Sequence, residues 1–264
     1  MKIHFYKYQA TGNDFILVDN RSGQYSFSID QIKKLCDRRF GIGADGIMLI
    51  EKDPSLDFNL VYYNSDGSQS LCGNGSRAAV HFASFLKMVN GHAAFKAYDG
   101  RHDAELFSTG IIRLKMNDTK AVTQLENDFV IHTGSPHLIR FVQSVTDYPV
   151  VEEGRKIRYS DTYKEKGINA NFVELLPNNT IFVRTYERGV ENETLSCGTG
   201  VTAAALAASF KGYQSPVSIK TMGGDLSVEF KSSQTGLPTG QADTFQDIFL
   251  IGPAKMVFEG DLEL

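Results

Sequence analysis

Two cysteines of this chain stand in nearly the same local sequence. Residues 72–85 read CGNGSRAAVHFASF and residues 197–210 read CGTGVTAAALAASF. Eight of these fourteen positions are identical at a constant offset of 125 residues, without a gap. Each copy also follows a strand-like run that ends in a tyrosine and a polar residue, Tyr63-Asn64 or Tyr186-Glu187. The repeat predicts two related halves, each carrying one Cys-Gly-x-Gly turn.

The position of each cysteine suggests acid/base chemistry. Each turn opens into an Ala-rich segment, about 74–89 and 199–211, that is typical of a helix. Unpaired amides and the positive end of the helix dipole favour a thiolate at such a position. The glycines would let backbone amides approach a bound carboxylate closely. If the halves face each other, one thiolate removes an α-proton and the opposite thiol delivers another, which inverts a stereocentre.

The third cysteine has a different setting. Ser28 and Gln31 form a capping-box pattern at the start of a predicted helix over 29–39. Apolar residues recur at helical spacing through it, and Cys36 belongs to that apolar stripe. We therefore expect Cys36 to be a buried structural thiol.

Short strands make up most of the remaining pattern, and they predict an α+β protein. They are rich in β-branched and aromatic residues, and Gly, Asn, Asp or Pro separates them. The predicted strands are 14–19, 46–51, 58–63, 111–116, 171–175, 180–186, 226–230 and 247–251.

Composition excludes several classes of protein. A net charge of -4 and a pI near 5.9 give no basic surface for nucleic acid. No run of about 18 apolar residues predicts a membrane span, and residues 1–15 lack the apolar core of a signal peptide. Three widely spaced cysteines do not form a disulfide framework, so we expect a reducing cytoplasm.

The sequence does not favour a disulfide, a zinc site or a dinucleotide cofactor. A disulfide between Cys72 and Cys197 is disfavoured in the cytoplasm. No CxxC or HxxxH spacing supplies the remaining ligands of a zinc site. The GIGADG stretch (41–46) does not match a dinucleotide fingerprint. We predict no metal and no cofactor.

At these motifs the sequence resembles the diaminopimelate epimerases, which interconvert LL- and meso-diaminopimelate for lysine and peptidoglycan synthesis. The resemblance includes TGNDF (11–15), FGIGADG (40–46), YNSDGS (63–68), CGNGSR (72–77), TGSPH (133–137), INANF (168–172), YERG (186–189), SCGTG (196–200) and GPAKMVFEG (252–260). Asn74 distinguishes the chain from proline racemases, which usually carry His there. Phenazine-pathway relatives lack the cysteine pair and hydroxyproline dehydratases replace one member, whereas both are present here.

The resemblance implies a role for each matching residue. Cys72 and Cys197 match the acid/base thiols, and the turns Gly73-Asn74 and Gly198-Thr199 match the loops that hold the α-carboxylate. His137 and Glu187 match residues that tune the thiol pKa values. Five residues match positions that hold the substrate, including its distal amino-acid end: Asn13, Asn64, Asn169, Glu187 and Arg188.

The resemblance also implies the architecture. Two pseudo-symmetric domains are expected, each a curved mixed β-sheet or barrel around a central helix, with the active site in the cleft between them. The first covers 1–117 and is completed by a C-terminal strand near 252–264, and the second covers 118–251. Family members usually form homodimers.

This sequence departs from the family pattern at two positions that bear on the site. Ser135 stands where the family often has Asn before Pro-His, and Gly46 stands where some members carry a substrate-contacting glutamine. Three alternatives also stay open: an epimerase of another amino acid, a non-catalytic amino-acid-binding protein, and a thiol hydrolase. The hydrolase would use one cysteine, His137 as base and Glu187 as its orienting group.

Overall fold

The chain folds into two compact units in the computed structural model, which describes residues 2–119, 121–233 and 244–264. The first unit comprises the described residues of Met1–Leu114 and Gly252–Leu264, and the second those of Lys115–Ile251. The C-terminal segment therefore packs with the N-terminal half of the chain. Among the described residues, no helix is both long and apolar enough to cross a membrane.

The first unit contains a mixed sheet and two helices. Its strands are β1 (Lys2–Ala10), β2 (Asn13–Asp19), β3 (Gly46–Glu51), β4 (Phe58–Asn64), β5 (His92–Ala97), β6 (Gly100–Leu106), most of β7 (Ile111–Lys115), and β17 (Lys255–Glu263). Its helices are α1 (Ile29–Cys36) and α2 (Gly73–Phe85). The strand order is β17-β1-β2-β3-β4-β5-β6-β7.

The second unit is built in the same way. Its strands are β8 (Val122–Gln124), β9 (Asp128–His132), β10 (Pro136–Phe141), β11 (Asn169–Leu176), β12 (Thr180–Glu187), β13 (Asn192–Thr194), β14 (Val217–Thr221), β15 (Gly224–Ser232) and most of β16 (Phe245–Pro253). Its helices are α3 (Val150–Arg158) and α4 (Gly198–Ser209). The order is β8-β9-β10-β11-β12-β14-β15-β16, and β13 also pairs with β12.

The two sheets share one topology. Read along each order, successive pairings are antiparallel, antiparallel, parallel, antiparallel, parallel, antiparallel and antiparallel. The helices correspond as well, because α1 and α3 follow the third strand of their orders while α2 and α4 follow the fifth. This agreement confirms the predicted α+β fold of two pseudo-symmetric halves.

Each repeated segment forms the central helix of its unit. Helix α4 is buried on nearly all sides and contacts strands β9, β10, β11, β12, β14 and β15. A helix that is apolar all round suits such a core position, and its alanines let the surrounding strands approach closely. Helix α2 is likewise buried against β1, β2, β3, β4, β6 and β17. The sheets thus fix where each helix begins, and with it the position of each repeated cysteine.

The predicted elements are found with shifted ends. All eight predicted strands exist, and their ends lie within two residues of the predicted ones. Helix α1 begins at Ile29 with the predicted capping box of Ser28 and Gln31. It stops at Cys36, three residues early, because the Asp37 carboxylate accepts hydrogen bonds from the amides of Arg39 and Phe40.

The prediction for α2 was wrong at its C-terminal end. The helix ends at Phe85 instead of continuing to about residue 89, and Lys87 adopts a positive φ of 60°.

Cys36 is 4% exposed within the core that α1 shares with β2 and β3, as predicted. Burial raises the pKa of its thiol to about 11.

Candidate active site

Cys72 is the residue that caps the N-terminus of α2. Its backbone is extended, with φ −128° and ψ 113°, and its Sγ atom accepts a hydrogen bond from the Gly75 amide at 3.3 Å. The thiol is partly exposed. An amide donor at a helix N-terminus stabilises negative charge on sulfur, so this geometry supports a thiolate.

The turn between β1 and β2 brings Asn13 to this thiol. Thr11 and Gly12 have φ values of 48° and 84°, which makes a tight hairpin turn and places Asn13 at the start of β2. The Asn13 Oδ1 atom lies 3.5 Å from Cys72 Sγ and 3.3 Å from Nδ2 of Asn74. Three predicted site residues of the first unit are therefore in direct contact.

Asn64 is held at the end of β4 by its own turn. Its Nδ2 atom donates to the hydroxyls of Ser68 at 3.0 Å and Ser70 at 3.1 Å. Ser70 and Cys72 line the same small cavity, together with Tyr62. Asn64 thus belongs to the surroundings of Cys72 through Ser70.

Gly46 leaves room that Tyr62 fills. A Cβ atom at Gly46 would overlap the Tyr62 ring and the Tyr63 carbonyl oxygen. A longer side chain therefore does not fit at position 46 unless Tyr62 moves. The Tyr62 phenol occupies the space that the side chain of a glutamine at position 46 would need.

Cys197 occupies the N-cap position of α4 in the second unit, as Cys72 does for α2 in the first, but only the Cys72 side chain makes a capping hydrogen bond. The Cys197 backbone has φ −116° and ψ 111°, and the residue is 8% exposed. Its Sγ atom lies 3.6 Å from the Thr199 hydroxyl. Thr199, in turn, accepts a hydrogen bond from the Thr133 hydroxyl through its backbone oxygen, at 2.8 Å. The loop that precedes β10 thus holds the start of α4.

His137 connects to Cys197 through Thr199. Its Nε2 atom lies 2.9 Å from the hydroxyls of both Thr199 and Ser135. Its Nδ1 atom lies 3.2 Å from Nδ2 of Asn171, an amide nitrogen that can only donate. This contact assigns the proton of a neutral ring to Nε2, so the ring donates to a hydroxyl.

Burial keeps His137 neutral. The side chain is fully buried, which lowers its pKa to about 3, and the charges of His132 and Arg188 act in the same direction. A general base works best with a pKa near the operating pH. His137 therefore does not suit the base of a thiol hydrolase, and its Nδ1 atom faces Asn171 instead of the expected carboxylate of Glu187.

Asn169 and Arg188 are joined at the ends of β11 and β12. The Asn169 side chain accepts a hydrogen bond from the Arg188 amide at 2.8 Å and donates to the Ser135 hydroxyl at 3.1 Å. The Arg188 guanidinium donates to the Lys166 carbonyl at 3.0 Å and is exposed. Glu187 accepts from the Thr194 hydroxyl at 2.9 Å.

Two glycines of the repeat have a packing role that the sequence did not indicate. A Cβ atom at Gly75 would overlap Cε of Met48, and one at Gly200 would overlap Oδ1 of Asn171. We expected the glycines to admit a bound carboxylate. For Gly75 and Gly200 that explanation was incomplete, because neighbouring side chains already require the absence of a Cβ atom.

Sequence reasoning missed several residues that hold the predicted ones. Asn171 follows Asn169 by two positions on β11, so both amides lie on one face of the strand, a spacing visible in INANF. Asn171 is fully buried and accepts from the Thr185 hydroxyl at 2.9 Å. Arg77 lies one turn after Asn74 and donates to its Oδ1 atom at 3.0 Å.

The model of one protein family matches both units. Residues 5–122 and 129–245 match the model described as diaminopimelate epimerase. The chain belongs to the diaminopimelate epimerase family. A diaminopimelate epimerase of Flavobacterium psychrophilum is 47% identical over 258 residues, which cover 96% of this chain and 98% of that protein.

More distant members of the diaminopimelate epimerase family match over nearly their full length. The diaminopimelate epimerase of Chlorobaculum tepidum is 38% identical, over 97% of this chain and 99% of that protein. The diaminopimelate epimerase of Aquifex aeolicus is 35% identical, over 98% of both chains. The family resemblance of the cysteine motifs is thereby confirmed.

Solved structures of low sequence identity share the fold. A phenazine biosynthesis protein of the PhzF family from Bacillus anthracis matches with a TM-score of 0.70 at 12% identity, over 100% of both chains. A hydroxyproline epimerase from Agrobacterium vitis matches with a TM-score of 0.69 at 14% identity, over 100% of this chain and 93% of that one. These matches support the fold that the two equivalent sheets define.

Proposed function

We propose that this chain interconverts LL- and meso-diaminopimelate without a cofactor, with Cys72 and Cys197 as the two acid/base groups. The observation that carries the proposal is the equivalence of the two thiols. Each occupies the N-cap position of the central helix of a unit with the same strand topology, in a chain of the diaminopimelate epimerase family.

The proposed reaction needs only proton transfer. One cysteine thiolate takes the proton from the substrate α-carbon and becomes a thiol, while the electron pair remains on carbon and spreads into the α-carboxylate. The other cysteine, a thiol on the opposite face, gives its proton to that carbon and becomes a thiolate. The carbon is inverted and the two cysteines have exchanged protonation states.

The amides at the start of each central helix suit the charge that develops in this reaction. Gly73 and Asn74 are the first residues of α2, and Gly198 and Thr199 are the first of α4. Backbone N–H groups at these positions have no partner within the helix and bind carboxylate oxygens well. We assign them to the α-carboxylate, where negative charge accumulates when the proton leaves.

The polar residues near the two cysteines are proposed to select the substrate. An exposed guanidinium at Arg188 suits the distal carboxylate of diaminopimelate, because it can form two parallel hydrogen bonds. Asn13, Asn64 and Asn169 supply amides, and Glu187 supplies a carboxylate for an ammonium group. Ser135 and Tyr62 are the groups that replace the amides found in some relatives.

The setting of the enzyme is also a proposal. Chemistry that depends on two thiols favours a reducing compartment, so we place the protein in the cytoplasm. The two units are proposed to be the two epimerase domains, over 1–117 with 252–264 and over 118–251. A homodimer without nucleic-acid partners is proposed from the family and from the net charge of -4.

The test is chiral analysis after incubation with LL-diaminopimelate. Cys72→Ala and Cys197→Ala should each lower the rate of meso product formation by roughly 10²–10⁴-fold, the usual contribution of a general acid or base. Cys36→Ala is the matched control and should keep its activity, because Cys36 lies in the α1 core. Near-normal epimerisation by either of the first two variants would rule the two-thiol assignment out.

A further inference from the structure

Arg77 is a buried cation for which the described residues supply no carboxylate partner. The side chain is 0% exposed, and it is the largest fully buried side chain of the described residues. Its NH2 atom donates to Asn74 Oδ1 at 3.0 Å and to the Thr11 hydroxyl at 3.3 Å. Within the described part of the chain, its Nε and NH1 atoms have no hydrogen-bond partner. Burying such a cation costs free energy unless an opposite charge or hydrogen bonds compensate for the lost hydration.

The fold itself does not require an arginine at this position. The repeat places Thr202 at the equivalent position of α4, 125 residues later. Thr202 is also fully buried, and its hydroxyl donates to the Gly198 carbonyl at 2.9 Å, an ordinary bond within the helix. A small residue therefore fills this position in a unit of the same topology, so helix packing alone does not account for Arg77.

Arg77 interacts electrostatically with Cys72 when the cysteine is a thiolate. Burial lowers the pKa of Arg77 to about 10, and the negative charge of Cys72 acts against that shift. Arg77 remains a cation near neutral pH. Because two charges stabilise each other equally, a cation that a thiolate stabilises also favours the thiolate.

Hydrogen bonds connect the same two residues. Arg77 donates to Asn74, Asn74 donates to Asn13 Oδ1, and this oxygen lies 3.5 Å from Cys72 Sγ. The bond from Arg77 also fixes the amide of Asn74, since it holds the oxygen inward and leaves the nitrogen toward Asn13. The network thus links the buried cation to the site.

We propose that Arg77 is a positioning residue that makes Cys72 the more acidic of the two repeated thiols and orients the Asn74 amide. The charge effect is independent of the substrate, whereas its use in turnover rests on the proposed epimerisation. Cys197 has a different environment, because a neutral network of Thr199 and His137 serves it. Before the reaction, Cys72 would then be the thiolate and Cys197 the protonated thiol.

Other groups around Cys72 act on its charge in both directions. The Gly75 amide favours the thiolate, whereas the Asn13 oxygen accepts from the S–H group and favours the thiol. The carboxylates of Asp14 and Asp45 are both bound by Arg38, at 2.7 and 2.8 Å.

Most charged side chains on the elements packed against α2 form ion pairs: Lys7 with Asp14, Asp19 with Arg21, Asp103 with Arg101, and Asp261 with Lys2. Phenols, imidazoles and glutamates also lie on or beside these elements. Burial raises the pKa of Tyr8 well above its ordinary value and lowers that of His81, so both stay neutral near pH 7. Glu51 accepts from the side chains of Asn20 and Asn59. These groups are His4, Tyr6 and Tyr8 of β1, Glu51 of β3, Tyr62 and Tyr63 of β4, Tyr98 after β5, His102 and Glu105 of β6, Glu259 and Glu263 of β17, and His81 of α2.

The proposal is tested by the pH dependence of Cys72 alkylation. Iodoacetamide labelling is followed by peptide mass spectrometry in the Cys197→Ala chain, so that no substrate is needed. Arg77→Met should raise the pH midpoint for Cys72 by about one unit or more, as expected for loss of a nearby opposite charge. Arg77→Lys keeps the charge and should restore most of the shift. Thr202→Val, at the equivalent place in α4, is the control and should leave the midpoint unchanged.

A second comparison needs no change at Arg77. The Cys72 midpoint in the Cys197→Ala chain should lie below the Cys197 midpoint in the Cys72→Ala chain. An unchanged Cys72 midpoint in folded Arg77→Met would overturn the proposal. If that variant does not fold, a Cys72 midpoint equal to or above that of Cys197 overturns it. Epimerase activity is recorded separately, so a shifted midpoint without activity would count against the proposed function and not against the role of Arg77.

Discussion

The Nε2 atom of His137 lies 2.9 Å from the hydroxyl oxygen of Thr199, and that hydroxyl lies 3.6 Å from Cys197 Sγ. One hydroxyl thus connects a fully buried imidazole to the thiol. The Sγ atom of Cys72 instead lies 3.5 Å from Asn13 Oδ1 and 3.3 Å from the Gly75 amide nitrogen. The two halves share a topology, but these contacts of their thiols differ.

The burial of His137 predicts a pH dependence of stability. The unfolded chain takes up a proton near pH 6.5, whereas the folded chain does so only near pH 3. The free energy of unfolding should therefore fall as the pH drops from about 6.5 toward 3. His137→Asn should flatten this slope by up to about 1.4 kcal/mol per pH unit.

Urea unfolding at pH 7 and pH 5 measures the difference. His92→Asn provides the control, because the His92 side chain is exposed on β5. The control should keep the slope of the unchanged protein. An equal slope in the His137→Asn variant would contradict a neutral, buried histidine.

The two repeated glycines should differ in their tolerance of alanine. At Gly200 a Cβ atom meets Asn171, which is fully buried and hydrogen-bonded to His137 and Thr185. At Gly75 it meets the end of the flexible Met48 side chain. Gly200→Ala should lower the free energy of unfolding by about 1–3 kcal/mol. Gly75→Ala should cost less, because the end of the Met48 side chain can move aside.

Thermal or urea unfolding of the two variants checks this order. Each glycine is the matched control of the other, because both occupy the third helical position after a repeated cysteine. A larger loss of stability for Gly75→Ala than for Gly200→Ala would show that the packing argument is wrong.

Mild oxidation should inactivate the enzyme reversibly. If Cys72 and Cys197 flank one carbon, they are close enough to form a disulfide when the site is empty. We expect loss of activity, a cross-linked peptide that contains both residues, and recovery with dithiothreitol. The Cys36→Ala chain should behave in the same way. Full activity after oxidation, with both thiols still open to alkylation, would count against the facing arrangement.

Recognition of the distal end should make the enzyme selective for long substrates. A site that leaves polar groups unpaired discriminates by about 10⁴ or more, so alanine should react very slowly. Arg188→Met should lower kcat/KM for LL-diaminopimelate far more than for alanine. Arg101→Met, which changes an exposed arginine of β6, is the control. Similar turnover of alanine and LL-diaminopimelate would refute the assignment.

Sequence motifs predicted those helix starts that depend on residues close together in the chain. The capping box at Ser28 and the Ala-rich repeats each determine a helix start within a few residues, and α1, α2 and α4 follow them. Helix α3 was missed because Pro149 at its N-cap makes no side-chain hydrogen bond, so it lacks the capping box that marks the start of α1. The charged alternation of β1 hid a strand that pairs on both sides.

Some residues of the candidate site are marked by nearby sequence, whereas others depend on contacts that the tertiary fold creates. The position of each repeated cysteine at a helix N-terminus was predictable, because the repeat marks it within a few residues of sequence. Asn171 and Arg77 act through partners that only the tertiary fold brings together: His137 lies on β10, and Thr11 lies in the turn after β1. The second glycine of each turn was misjudged for the same reason, since Met48 and Asn171 come from distant strands.

The central claim is that the proton removed and the proton delivered belong to different thiols. Deuterated water tests it directly, because an empty site exchanges its thiol protons with solvent. The reaction starts from protiated LL-diaminopimelate, and mass spectrometry follows deuterium in both isomers during the first few per cent of conversion.

We predict that the first meso product carries deuterium at the inverted carbon, while recovered LL substrate stays largely protiated. The thiol that abstracts the hydrogen can return only that hydrogen, and the opposite thiol supplies deuterium. A single base would instead return one hydrogen to both faces. Early meso product that is mainly protiated, or LL substrate that gains deuterium as fast as product forms, would contradict the two-thiol account.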